Sequence, residues 1–80
     1  MPERVAVVLP KWGMSMSEAT VVEWLKAVGE RVVAGEALVL VETDKVEAVV
    51  EAPATGTLVA LHASVDDDVE VGALLAELEV

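Results

Sequence analysis

Short aliphatic runs, most of them valine-rich, recur along this chain and are separated by charged or glycine-containing breaks. Val5-Ala6-Val7-Val8-Leu9, Leu38-Val39-Leu40-Val41 and Val46-Glu47-Ala48-Val49-Val50 are the clearest. β-branched side chains fit a pleated, half-buried surface better than a helix. The pattern predicts strands at 4–9, 19–24, 37–42, 46–51, 56–61 and 74–79, with shorter pieces near 31–33 and 68–70. Gly29, Gly35, Gly56, Gly72 and Pro53 punctuate them. Trp24-Leu25-Lys26-Ala27-Val28 has the spacing of a helical turn, but Gly29 ends it and it is too short to stand alone. Many short strands at regular spacing predict an all-β sandwich or flattened barrel.

The pattern also repeats. At an offset of 37, Gly35 falls on Gly72, Thr20 on Thr57, Val22 on Val59, Trp24 on Leu61 and Val28 on Val65. Val32 falls on Val69, Leu38 on Leu75, Val41 on Leu78 and Glu42 on Glu79. Two copies at this long offset predict two halves, about 4–42 and 46–79, related by a pseudo-twofold rather than stacked as a solenoid. The hairpin between the halves is then the counterpart of the paired chain termini. Hairpin and termini are expected at opposite ends of the molecule.

Composition sets bounds on this picture. Eighty residues make one domain, 1–80, that buries only ~60% of the surface its unfolded chain exposes. There is no cysteine, so neither a disulfide nor a thiolate metal site braces it. The aromatic residues are Trp12 and Trp24, which leaves the core to Val, Leu, Ala and Met. A net charge of −10 offers no electrostatic footprint to nucleic acid or an anionic membrane, and favours basic partner surfaces. No apolar run approaches the ~20 residues of a membrane span, and residues 1–9 lack the form of a signal peptide. A cytoplasmic, monomeric domain is the expectation.

Candidate chemistry centres on Lys45. It lies in Val41-Glu42-Thr43-Asp44-Lys45-Val46-Glu47, between two predicted strands with only enough chain for a tight hairpin. A lysine there projects an amine with no duty to the fold. Elsewhere the signals are bland. Asp66-Asp67-Asp68 lacks the alternating ligands of a calcium loop and is expected to be a solvated turn. His62 stands alone, and Ser15, Ser17 and Ser64 show no triad pattern. Gly35 and Gly72 are expected at turns that need positive φ or close approach, and Trp24 in the core.

Three segments together resemble a lipoyl domain of the biotinyl/lipoyl attachment family. They are Leu9-Pro10-Lys11-Trp12-Gly13-Met14-Ser15-Met16-Ser17-Glu18, then Val22-Glu23-Trp24-Leu25-Lys26-Ala27-Val28-Gly29-Glu30, then Glu42-Thr43-Asp44-Lys45, which matches the family's lipoylation motif. The likeness covers essentially the whole chain and is nearest to the N-terminal domain of dihydrolipoamide acyltransferases of 2-oxo acid dehydrogenase complexes. The first segment resembles the pyruvate and acetoin types.

The resemblance implies two four-stranded antiparallel sheets with the modified lysine at a hairpin tip. It implies lipoate joined to Lys45 by a lipoate ligase or lipoyl transferase. Its partners would be a thiamine-dependent decarboxylase, an acyltransferase core and a dihydrolipoyl dehydrogenase, between which it would carry acyl groups and electrons. Asp44 maps to decarboxylase recognition and Glu42 to ligase recognition. Glu42, Asp44 and Glu47 would form an acidic collar, Thr43 and Val46 (where alanine is frequent) belong to the same recognition set, and the loop containing Trp12 and Gly13 contributes to decarboxylase recognition. Trp12 is expected to pack beneath that loop.

Biotinyl carriers use the same fold and lysine, but usually flank it with methionines; Asp44 and Val46 here favour lipoate over biotin. The 80 residues hold no catalytic constellation, so the domain is a carrier rather than an enzyme, and any parent chain would be the acyltransferase. An excised domain and a freestanding carrier are both compatible with the sequence, as is a binding module whose lysine is never modified.

Overall fold

The computed structural model describes residues 3–10, 17–43 and 46–80. Eight strands appear: β1 (Arg4–Val8), β2 (Glu18–Trp24), β3 (Arg31–Val32), β4 (Ala37–Glu42), β5 (Glu47–Glu51), β6 (Gly56–Leu61), β7 (Asp68–Glu70) and β8 (Leu74–Glu79). Each boundary lies within one residue of the pattern-based expectation. They form two antiparallel four-stranded sheets, ordered β1-β8-β6-β3 and β5-β4-β2-β7. No strand pairing among the described residues joins the sheets, so the architecture is a sandwich and not a closed barrel.

The offset of 37 is borne out at the level of individual strand registers. Thr20 opposes Glu42 as Thr57 opposes Glu79, and Trp24 opposes Val39 as Leu61 opposes Ala76. The bulge between Val21 and Glu23 recurs between Leu58 and Ala60. Glu47 opposes Glu42 as Arg4 opposes Glu79. The equivalence extends to the ends: Thr43 N–H donates to Val46 O at 2.8 Å, and Val80 N–H donates to Glu3 O at 2.9 Å. The paired termini therefore repeat, in one sheet, the hairpin closure of the other.

Alternation along the strands places Leu9, Leu38, Leu58, Leu75 and Leu78 with Val7, Val21, Val32, Val39 and Val41 in the interior. Burial of each such side chain contributes about 2 kcal/mol from apolar area removed from water. No polar side chain is buried among the described residues. Gly35 and Gly72 take φ of +92° and +87°, in the left-handed region that glycine enters without steric cost. Their N–H groups donate to Ala52 O and Leu9 O, each at 2.9 Å, fixing equivalent turns in the two halves.

Trp24 departs from the expectation of a core residue. It is partly buried, packs against the core from the side, and its indole Nε1–H donates to Ala63 O at 3.0 Å. A tryptophan has one polar edge to satisfy, and this placement buries the ring while keeping that edge bonded. Its counterpart Leu61 is 37% exposed, so the repeat conserves backbone register there but not burial. Trp24 closes β2, and residues 25–29 form a bend and a turn, not helix.

Candidate functional site at the β4–β5 hairpin

β4 and β5 run antiparallel through Leu40–Val49 and Val41–Ala48 to a last pair, Glu42–Glu47. Beyond that pair Thr43 closes the hairpin three ways. Its N–H donates to Val46 O, its hydroxyl lies 3.2 Å from the same carbonyl, and Val46 N–H donates to Thr43 Oγ1 at 3.1 Å. A hydroxyl serves here because it donates and accepts, so one side chain bonds both backbone groups of Val46. The connection between Thr43 and Val46 is the dipeptide Asp44-Lys45. Asp44 and Lys45 lie outside the described residues, as do Trp12 and Gly13 of the other predicted recognition segment.

Of the predicted site residues that are described, Glu42, Thr43, Val46 and Glu47 come together at the hairpin closure. Glu42 and Glu47 are exposed and directly opposed, and Val46 is 56% exposed. The structure adds residues that sequence reasoning missed. Thr20 opposes Glu42 on the far side, and Asp68 of β7 opposes Thr20. Glu47, Glu42, Thr20 and Asp68 thus form one row across all four strands. Thr20 Oγ1–H donates to Asp68 Oδ1 at 2.6 Å. Asp68 therefore opens a strand and joins this row, instead of belonging to a solvated turn. Asp66 and Asp67 do make the turn, where Asp67 Oδ2 accepts from Ser64 N–H at 2.8 Å. The sequence pattern already places a short strand at 68–70; that it joins this row follows only from the strand order.

On the other sheet His62 is not isolated: its Nε2 lies 2.8 Å from Glu77 Oε2, and Arg4 Nη1 approaches the same oxygen at 3.8 Å. Glu36, in the turn before β4, accepts from Val33 N–H at 2.7 Å and faces Lys26 at 3.3 Å. The backbone hydrogen bond, and then the lysine, hold its carboxyl below the ordinary value of 4.5.

Comparison with known proteins agrees with this geometry. Residues 5–78 match the biotin/lipoyl family model, described as "Biotin-requiring enzyme". A dihydrolipoyllysine-residue acetyltransferase component of the pyruvate dehydrogenase complex from Corynebacterium glutamicum is 44% identical over 90% of this chain and 11% of its own length. The corresponding component of the acetoin cleaving system from Pseudomonas putida is 47% identical, over 85% of this chain and 18% of its own. A succinyltransferase component of the 2-oxoglutarate dehydrogenase complex from Staphylococcus saprophyticus is 46% identical over 95% and 17%. The chain thus spans under a fifth of each of these relatives. The solution structure of the lipoyl domain of the 2-oxoglutarate dehydrogenase complex from Azotobacter vinelandii superposes with a TM-score of 0.73 at 35% identity, covering 92% of this chain and 94% of that one. With the same sandwich and the Glu42-Thr43-Asp44-Lys45 hairpin, the chain belongs to the biotin/lipoyl attachment family, as a lipoyl domain of the kind borne by acyltransferase components of 2-oxo acid dehydrogenase complexes.

Proposed function

We propose that this domain is a swinging-arm acyl carrier, lipoylated on Lys45 by a lipoate ligase or lipoyl transferase. The observation that carries the proposal is the closed β4–β5 hairpin. Thr43 and Val46 are locked by backbone and side-chain hydrogen bonds, and the two residues between them include the motif lysine. The framework fits an amide-linked arm: Thr43 and Val46 close the hairpin on each other, and Val46 is exposed. Modification removes the lysine's charge and leaves Glu42, Asp44 and Glu47 as an acidic collar. When bound, the lipoyl group supplies a redox-active disulfide that carries acyl groups and electrons between a thiamine-dependent decarboxylase, an acyltransferase core and a dihydrolipoyl dehydrogenase. Tethering raises the arm's effective concentration at each site.

In this reading Glu42 guides the ligase and Asp44 the decarboxylase, with Trp12 and Gly13 contributing from their loop. The domain is not itself an enzyme, acts in the cytoplasm, and is monomeric when isolated; its parent would be a dihydrolipoamide acyltransferase. Strong identity to pyruvate, acetoin and 2-oxoglutarate relatives alike supports the carrier role without favouring one complex. Lipoylated domain incubated with each of the three decarboxylases and its substrate should gain an acyl increment with one of them. No increment with any would refute the shuttle role.

A further inference from the structure

The two sheets share one geometry, so each is a control for the other. Their backbones are register-equivalent, yet their charges are not. The strands of the hairpin sheet carry Glu18, Glu23, Glu42, Glu47, Glu51, Asp68 and Glu70 with no basic residue. The strands of the second sheet carry Arg4, Arg31, Glu77 and Glu79, which cancel. The row Glu47–Glu42–Thr20–Asp68 has as its counterpart Arg4–Glu79–Thr57–Arg31.

The fold does not require the acidic version. Like charges directly opposed across strands are destabilising, and the hairpin sheet holds two such pairs, Glu42–Glu47 and Glu18–Glu70. Their counterparts are the attractive pair Glu79–Arg4 and, at the 37-residue offset, the uncharged residues Thr55 and Val33. Beside the acidic row, Leu40 pairs with Val49 on the outer face, and Val49 is 39% exposed. The equivalent pair on the second sheet is Glu77–Ala6, where Glu77 faces Arg4 at 3.8 Å and lies 2.8 Å from His62 Nε2. The hairpin sheet therefore sets one apolar pair, Leu40–Val49, inside an acidic border that includes Glu23 opposite Leu40, an apolar centre with a polar rim. Four strands make the row roughly 14 Å wide. That is broader than access to one amine needs.

We infer that the outer face of the β5-β4-β2-β7 sheet, from Leu40 and Val49 through Glu42 and Glu47 to Asp68, Glu18 and Glu70, docks the decarboxylase through a lysine- and arginine-rich surface of that enzyme. The inference rests on the carrier role and extends recognition from the hairpin to β2 and β7, with Thr20 orienting Asp68. Charge complementarity of this kind acts mainly on the association rate and on partner choice.

The test uses unmodified domain, so it is independent of lipoylation. Affinity for the decarboxylase of its complex is measured by calorimetry at several salt concentrations, with amide shifts mapped by NMR. The variant Glu18→Gln/Asp68→Asn/Glu70→Gln should bind about tenfold more weakly at low salt and show a flatter salt dependence. Glu3→Gln/Glu77→Gln/Glu79→Gln, an equal change in charge centred on the other sheet, should bind as the parent does. Equal weakening of both variants, unchanged binding of the first, or shifts confined to the hairpin would overturn the inference. Intact mass after treatment with lipoate and ligase tests the carrier role separately. A first variant that lost lipoylation rate but kept decarboxylase affinity would assign the face to the ligase instead, and refute it.

Discussion

Gly29 and Asp66 occupy the same position in the two halves and share a left-handed backbone, with φ of +97° and +75°. Each directs its N–H to a strand of the opposite half: Gly29 to Leu58 O and Asp66 to Val21 O, both at 2.7 Å. Each bond extends a strand pairing within its own sheet, β3 with β6 and β2 with β7, and so joins the two halves; the left-handed turn is what makes it reachable. Open space surrounds Gly29, so the obstacle to a side chain there is conformational rather than steric crowding. Gly29→Ala should cost ~1–2 kcal/mol. Asp66→Gly should be neutral or gain up to ~1 kcal/mol, because relief of the aspartate is offset by a more flexible unfolded chain. Thermal unfolding of the two variants checks the pair, and a larger loss at Asp66 than at Gly29 would contradict it.

Gly56 is needed for a different reason. A Cβ there would lie 2.5 Å from the carbonyl oxygen of Glu79 and 3.0 Å from Val80 Cγ1, and backbone cannot step aside as a flexible side chain can. Gly56→Ala should destabilise the fold by ~1–3 kcal/mol, the range of overpacked interiors. Because Glu79 pairs with Arg4, hydrogen exchange should quicken first along β1 and β8. Protection unchanged there would count against the steric account.

At the hairpin, Thr43→Val keeps shape but leaves Val46 N–H without its side-chain acceptor. A loss of about 1 kcal/mol is expected, with faster exchange of the Val46 amide and a slower rate of modification at Lys45. Thr43→Ser should retain most of both. If valine and serine behave alike, the hydroxyl is not what shapes the closure.

Glu36 gives the domain a share of its acid sensitivity. Its folded-state pKa is depressed, so its stabilising contribution is complete above the ordinary value of 4.5 and is lost as pH falls through the lower, folded value. Glu36→Gln should therefore narrow the gap in melting temperature between neutral and acid solution. The Val33 hydrogen bond is the largest single cause and Lys26 adds a hydrogen bond and its charge, so Lys26→Met should reproduce part of the effect and not all of it. An unchanged pH profile in Glu36→Gln would refute this.

Much of this structure was legible in the sequence because alternation and glycine placement act locally. Leu38-Val39-Leu40-Val41 could only be a strand, and Gly35 and Gly72 marked equivalent turns. The 37-residue offset then supplied long-range information, since duplicated halves imply duplicated registers. What escaped depends on which strands become neighbours. Asp68 joins Glu42 and Glu47 only through the order β5-β4-β2-β7, and 21 residues separate Asp68 from Glu47. Gly56 looked like a turn signal, but its role comes from Glu79 in another strand. The repeat, which pairs Trp24 with Leu61, points to the core but says nothing of its bond to Ala63.

The central claim is that Lys45 carries the lipoyl arm. Intact mass spectrometry of the domain and of Lys45→Arg, each expressed with lipoate and a lipoate ligase, tests it most directly. A lipoyl increment on the parent and none on the variant is the predicted result. An increment that persists in Lys45→Arg, a biotin increment, or none on the parent would contradict it while leaving the sandwich intact.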